Sequence, residues 1–150
     1  MNTPIYILEA RLSRPRFHLA FPVRSIAEAR AFYGDLLGCP EGRSTDEWVD
    51  FDLHDHQLSA HVAPMDGESQ ATSLVDDHAV PLRHFGLILE WEDWEALAKR
   101  LEAAGTAFEL APQVRFKGAV GEQATLFVRD PSGNALEFKA FRDEATIFAR

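Results

Sequence analysis

Apolar and polar positions alternate in short runs along this chain, and two of those runs repeat one another. Phe17-His18-Leu19-Ala20-Phe21 and His84-Phe85-Gly86-Leu87-Ile88 each carry a histidine near the start and a small residue two places on. In an extended strand successive side chains point to opposite faces. His18 and Ala20 therefore share one face, and Phe17, Leu19 and Phe21 the other. His84, Gly86 and Ile88 divide from Phe85, Leu87 and Leu89 in the same way. A histidine set opposite the apolar stripe, twice, beside a residue that leaves room, marks a candidate site.

The elements after each histidine also repeat. Ser25-Ile26-Ala27-Glu28 is a capping box at a helix start, and Ile26, Ala29, Phe32, Tyr33, Leu36 and Leu37 continue at helical spacing until Gly38 and Pro40. A weak strand near Arg43, an alternating strand over 48–53, a turn at His54-Asp55-His56 and a strand over 57–62 complete the first unit. In the second, Trp94, Leu97, Ala98, Leu101 and Ala104 mark a helix closed by Gly105. A short strand over 107–110, a loop over 111–122, a strand over 123–129, the tight turn Asp130-Pro131-Ser132-Gly133-Asn134 and a last strand over 135–141 come next. The order is βαβββ written twice: module one about 16–64, a polar linker 65–81, module two about 82–142, and a tail 143–150 in which Ile147 and Phe148 can dock. The expected fold class is α+β, with the two modules forming a cup-shaped, curved mixed sheet and the helices outside.

Composition narrows the partners. A chain of 150 residues that is 46% hydrophobic can bury a core as a single domain. Its formal charge of −9 argues against nucleic acid. No apolar run approaches the roughly 20 residues a bilayer requires, so no membrane partner is expected. Residues 1–12 lack a basic start and Glu9 interrupts their apolar patch, so no signal peptide is expected, and the cytoplasm is the default location. Cys39 alone cannot form an internal disulfide. It comes after a helix end, where the dipole does not favour a thiolate.

Glu137 adds a third group to the two histidines. On the last strand it faces away from Leu136 and Phe138, and a carboxylate among apolar neighbours needs a cationic partner. Two histidines and one carboxylate on strand surfaces are the set that holds a divalent ion with coordination positions left open. Each taken singly also fits a hydrogen-bonded core histidine or an arginine-paired carboxylate. His61 shares its strand face with Ser59 and Gln57 and is a candidate ligand or catalytic base. Gln57, Trp48 and Lys139 are candidates to contact substrate, as are Arg115 and Lys117 for an anionic one. His54 and His56 are expected in an exposed turn, His78 in the linker, and Tyr33 in the core.

Phe17-His18-Leu19-Ala20-Phe21, Ala31-Phe32-Tyr33-Gly34-Asp35-Leu36-Leu37-Gly38 and Asp130-Pro131-Ser132-Gly133-Asn134-Ala135-Leu136-Glu137-Phe138 resemble the vicinal oxygen chelate superfamily over about residues 16–142. That group includes glyoxalase I, the fosfomycin and bleomycin resistance proteins and the type I extradiol dioxygenases. The resemblance implies metal ligands at His18, His84 and Glu137, and a divalent cofactor with Fe, Mn, Ni and Zn all open. It implies an enzyme acting on a small molecule that chelates the metal through oxygens. An extradiol-dioxygenase-like reaction suits the His, His, Glu set, although the tyrosine usual before the final glutamate is replaced here by the Leu126-Phe127-Val128 approach. A glyoxalase-like isomerase or lyase would need His61 as a fourth ligand. The alternative is a metal-free protein of the bleomycin-resistance type that binds a drug or antibiotic, for which the acidic balance suits a cationic ligand. With the modules side by side in one chain, His18, His84 and Glu137 would converge at the centre of the cup; relatives of this size often dimerise or exchange modules, in which case the ligands come from two chains. A homodimer is expected, with both arrangements of the site open.

Overall fold

The computed structural model describes residues 15–64 and 72–149. Residues 1–12 and the first part of the expected linker, 65–71, lie outside the described residues. The first unit runs β1 (His18–Val23), α1 (Ile26–Ala29) continuing as a wider helical segment (Arg30–Leu36), β2 (Glu41–Ser44), β3 (Trp48–Leu53) and β4 (His56–Val62). Two short strands, β5 (Thr72–Val75) and β6 (His78–Pro81), lie between the units. The second unit runs β7 (Phe85–Ile88), α2 (Trp91–Ala103), β8 (Phe108–Arg115), β9 (Gln123–Arg129) and β10 (Ala135–Phe141). Each unit is a four-stranded sheet, ordered β1-β4-β3-β2 and β7-β10-β9-β8, with the first pair parallel and the rest antiparallel. The two-module α+β architecture is as the sequence predicts, and each histidine strand lies at the outer edge of its sheet. Among the described residues no helix is long and apolar enough to cross a membrane.

The first helix starts where the capping box places it, with Ser25 Oγ accepting from the Glu28 N–H at 3.3 Å. Its later turns are wider than the sequence pattern implies. The Leu37 N–H reaches back five residues to the Phe32 carbonyl, a geometry that accompanies burial of the adjacent rings Phe32 and Tyr33. Gly38 ends the segment with φ +75°, a left-handed conformation open to glycine. One face of each sheet and both helices share a single core containing Phe21, Tyr33, Phe51, Trp94, Leu126 and Phe138. The Phe21 and Phe85 rings meet across the modules at 5.3 Å.

The modules are also clasped by polar groups. Asp130 Oδ1 accepts the Ser132 and Asn134 N–H groups, and Oδ2 accepts the buried Tyr33 hydroxyl at 2.8 Å and the Asn134 amide. That amide also donates to the Pro22 carbonyl, while Ser132 Oγ accepts from the Arg24 N–H. The Asp-Pro-Ser-Gly-Asn turn is thus a joint between the two units.

Three expectations change. Residues 72–81 of the expected linker form the β5–β6 hairpin, turned at Asp76 and Asp77 in positive-φ conformations. Its Val80 is fully buried against Leu110 and Phe127, so the hairpin covers part of the second sheet. β8 continues to Arg115 instead of ending at Leu110, because Pro112 is tolerated on an edge strand where the register with β9 shifts. Arg115 is therefore on a strand, bonded to Asp76 at 2.9 Å. Of the two tail residues expected to dock, Ile147 is half-buried, whereas Phe148 is 92% exposed and docks on none of the described residues.

Candidate functional site

Each sheet turns one face to the core and displays its polar residues on the other. On the first sheet, Leu19, Phe21, Val49, Phe51, Leu58 and Ala60 go inward, which leaves His18, Gln57, Ser59 and Asp50 on the opposite face. Pairing sets His18 beside Gln57, Ala20 beside Ser59, Ser59 beside Asp50, and His61 beside Trp48. On the second, Gly86 lies beside Glu137, Glu137 beside Phe127, and Lys139 beside Thr125. Ser59 therefore occupies in the first module the place of Glu137 in the second.

His84 and Glu137 meet directly. His84 Nε2 lies 3.0 Å from Glu137 Oε2, and the carboxylate side chain is only 12% exposed. His84 Nδ1 lies 2.8 Å from the Pro81 carbonyl. A carbonyl can only accept, so Nδ1 carries the hydrogen and a neutral ring turns its Nε2 lone pair to the carboxylate. Two acceptors at that distance require a proton or a metal ion between them. A histidine held through its other nitrogen by a backbone carbonyl is also how metal-bound imidazoles are oriented, so this donor pair fits a divalent ion. The second carboxylate oxygen accepts from Thr125 Oγ1 at 2.8 Å, with Lys139 Nζ at 3.8 Å. The His84 ring packs edge-on against Phe127 at 4.9 Å between centroids.

Gly86 explains how these groups come so close. A Cβ at this position would overlap the Glu137 backbone carbonyl. The small residue thus permits β7 to approach β10, a more specific role than leaving room above the histidine.

His18 stands apart from that pair. Its Nδ1 is 2.9 Å from Gln57 Oε1, Gln57 Nε2 donates to Asp50 Oδ2 at 3.1 Å, and Ser59 Oγ donates to Asp50 Oδ1 at 2.6 Å. Among the described residues no three His, Cys, Asp or Glu side chains gather closely enough to hold a metal. The chain therefore brings His84, Glu137 and Lys139 together, and His18 and Gln57 together, as two separate groups. His61 and Trp48 form a third, with ring centroids 6.5 Å apart and the Arg43 guanidinium 5.9 Å from the Trp48 ring. A cleft of about 430 Å³ opens beside Gln57 and Asp50, walled also by Arg16, Arg43 and His56.

His54 lies in the turn as expected, but His56 begins β4, half-buried, with Nδ1 accepting the Phe17 N–H at 3.0 Å. His78 begins β6 and is exposed, its Nδ1 3.1 Å from the Asp76 carbonyl. Tyr33 is core, and burial, reinforced by the Asp130 charge, holds its hydroxyl well above the usual phenol range. Burial and then Asp52 push the Cys39 thiol up to about 11, which removes it as a nucleophile. Sequence reasoning missed Asp50 and Thr125. Both alternate with core residues on their strands, and pairing each strand with its neighbour places them behind Gln57 and Glu137.

Fold and site together define a paired-βαβββ protein with histidine and carboxylate groups on the open faces of its sheets. Residues 17–138 match the model of the Glyoxalase/Bleomycin resistance protein/Dioxygenase superfamily, and the chain belongs to that family. A glyoxalase/bleomycin resistance protein/dioxygenase from Alicyclobacillus acidocaldarius is 32% identical, with a TM-score of 0.73 over 90% of this chain and 97% of that one. The fosfomycin resistance protein FosX of Listeria monocytogenes shares the fold at 16% identity and a TM-score of 0.63, over 85% of this chain and 93% of that one. A lactoylglutathione lyase of Agrobacterium tumefaciens does so at 17% and 0.60, over 84% and 92%. No curated protein matches the chain.

Proposed function

We propose that this chain is a divalent-metal-dependent enzyme acting on a small molecule that presents two oxygens. Its site is completed between two copies, with His18 from one and His84 and Glu137 from the other. The observation that carries this reading is the 3.0 Å approach of His84 Nε2 to Glu137 Oε2 with Nδ1 already committed to Pro81. The pairing of copies is supported by β1 and β7 lying at the outer edges of their sheets. It is supported further by exposed apolar side chains at the two edge strands, Phe17 next to His18 at 60% and Ile88 at the end of β7 at 49%. The location that goes with this reading is the cytoplasm.

A divalent ion held there (Fe, Mn, Ni or Zn) would supply Lewis acidity toward both substrate oxygens. Thr125 and Lys139 hold the Glu137 carboxylate and partly offset its charge, and Lys139 can receive an anionic substituent. Trp48, backed by Arg43, offers a face for an apolar one. In this reading His61, which lies beside Trp48 and apart from His84 and Glu137 within one chain, would move a proton in an extradiol-dioxygenase-like reaction; as a fourth ligand it would direct the site toward glyoxalase-like isomerisation. The names of FosX, a fosfomycin resistance protein, and of the lactoylglutathione lyase make fosfomycin and lactoylglutathione sensible additions to a panel of catechols.

One observation favours a second reading, metal-free binding of a drug-like cation. A doubly protonated His84 could satisfy Glu137 as an ion pair without any metal. Elemental analysis of protein purified without chelator separates the two. The metal reading expects bound divalent metal that His84→Ala abolishes with modest loss of stability. Unchanged metal content in that variant would remove His84 from the site, and metal-free native protein would leave the binding reading.

A further inference from the structure

We propose that Asp50 and Gln57 are positioning residues that fix His18 in the tautomer whose Nε2 is free to bind a metal ion. The consequence for metal rests on the metal reading above; the tautomer itself does not.

The chain of partners leaves one arrangement. Asp50 is a carboxylate only 7% exposed, and it accepts from Ser59 Oγ at 2.6 Å and from the Gln57 amide at 3.1 Å. Because a carboxylate can only accept, the nitrogen of the Gln57 amide faces Asp50 and its oxygen faces His18. That oxygen also only accepts, so His18 Nδ1, 2.9 Å away, must donate. Nε2 of the neutral ring is then left with its lone pair, as for His84, whose Nδ1 is committed to the Pro81 carbonyl. The two modules reach the same imidazole state by different means, a backbone carbonyl in one and a relayed buried carboxylate in the other. Gln57 spends both ends of its amide on the protein, which makes it a support for His18 in place of a substrate contact.

The test reads the His18 tautomer by long-range 1H–15N correlation in metal-free protein, at a pH where the ring is neutral, together with Co(II) affinity. The variants are Asp50→Asn, which permits the Gln57 amide to turn over, and Gln57→Leu, which removes the amide from an exposed position; circular dichroism checks the fold of both. Ser59→Ala keeps the relay and serves as the control. The wild type and Ser59→Ala are expected to show hydrogen on Nδ1. Asp50→Asn and Gln57→Leu are expected to shift toward hydrogen on Nε2, with Co(II) affinity reduced roughly 10- to 100-fold, the range for loss of a ligand's supporting hydrogen bond. An unchanged tautomer in both variants, or hydrogen on Nε2 in the wild type, would overturn the proposal. If the tautomers behave as stated but the wild type binds no Co(II), the positioning stands and the metal reading fails.

Discussion

The Tyr33 hydroxyl donates to Asp130 Oδ2 at 2.8 Å, tying the helical segment of one module to the last turn of the other in a fully buried contact. A hydrogen bond to a buried carboxylate contributes about 2 kcal/mol. Tyr33→Phe is expected to lower unfolding stability by about that amount in urea titration, with Asp130→Ala costing more because three further bonds end there. A loss within experimental error for both would show that the joint does not hold the modules together.

The same tyrosine and Cys39 predict an alkaline limit. Both groups stay protonated in the folded chain above their ordinary values, Cys39 to about 11 and Tyr33 well above 10. The unfolded chain releases those protons at the ordinary values, so the stability they contribute is complete below about pH 9 and lost as the pH rises. Urea midpoints should fall between pH 9 and 11, and Cys39→Ala should flatten that fall. An equal slope in the variant would contradict the assignment.

Two glycine substitutions should act in opposite directions. Gly86→Ala drives a methyl into the Glu137 backbone carbonyl and is expected to destabilise by about 1–3 kcal/mol, the usual cost of overpacking. Gly34→Ala meets only Phe51 at an ordinary 3.8 Å on a helical segment, and should be neutral or stabilise by roughly 0.5–1 kcal/mol. Melting temperatures of the pair check both signs.

Thr125→Val removes the hydroxyl that holds Glu137 Oε1 while keeping the side chain's shape. Divalent-metal affinity is expected to fall roughly 10-fold with little change in fold, read by competition titration and circular dichroism. Full affinity would mean that Glu137 needs no such support.

Much of this is legible in the chain because period and partner agree locally. Leu19, Phe21 and Val23 alternate cleanly, Ser25 and Glu28 announce a helix start, and the histidines head both edge strands. The hairpin at 72–81 is hidden because its turn uses Asp76 and Asp77 in positive-φ conformations instead of glycine. The wide helical turns are hidden because Phe32, Tyr33, Leu36 and Leu37 satisfy an ordinary helical stripe equally well. Asp50 and Thr125 act one strand away from the residues they support, and strand pairing is a property no single stretch of sequence carries.

The most direct test of a metal held between two copies is the metal content of an equal mixture of His18→Ala and Glu137→Ala chains, unfolded and refolded together. Each variant alone is expected to bind no metal. The mixture should recover about a quarter of the native content, since half of randomly assembled dimers are mixed and each has one intact site of two. Recovery no greater than either variant alone, while native protein binds metal, would contradict the shared site; native protein without metal would contradict the metal itself.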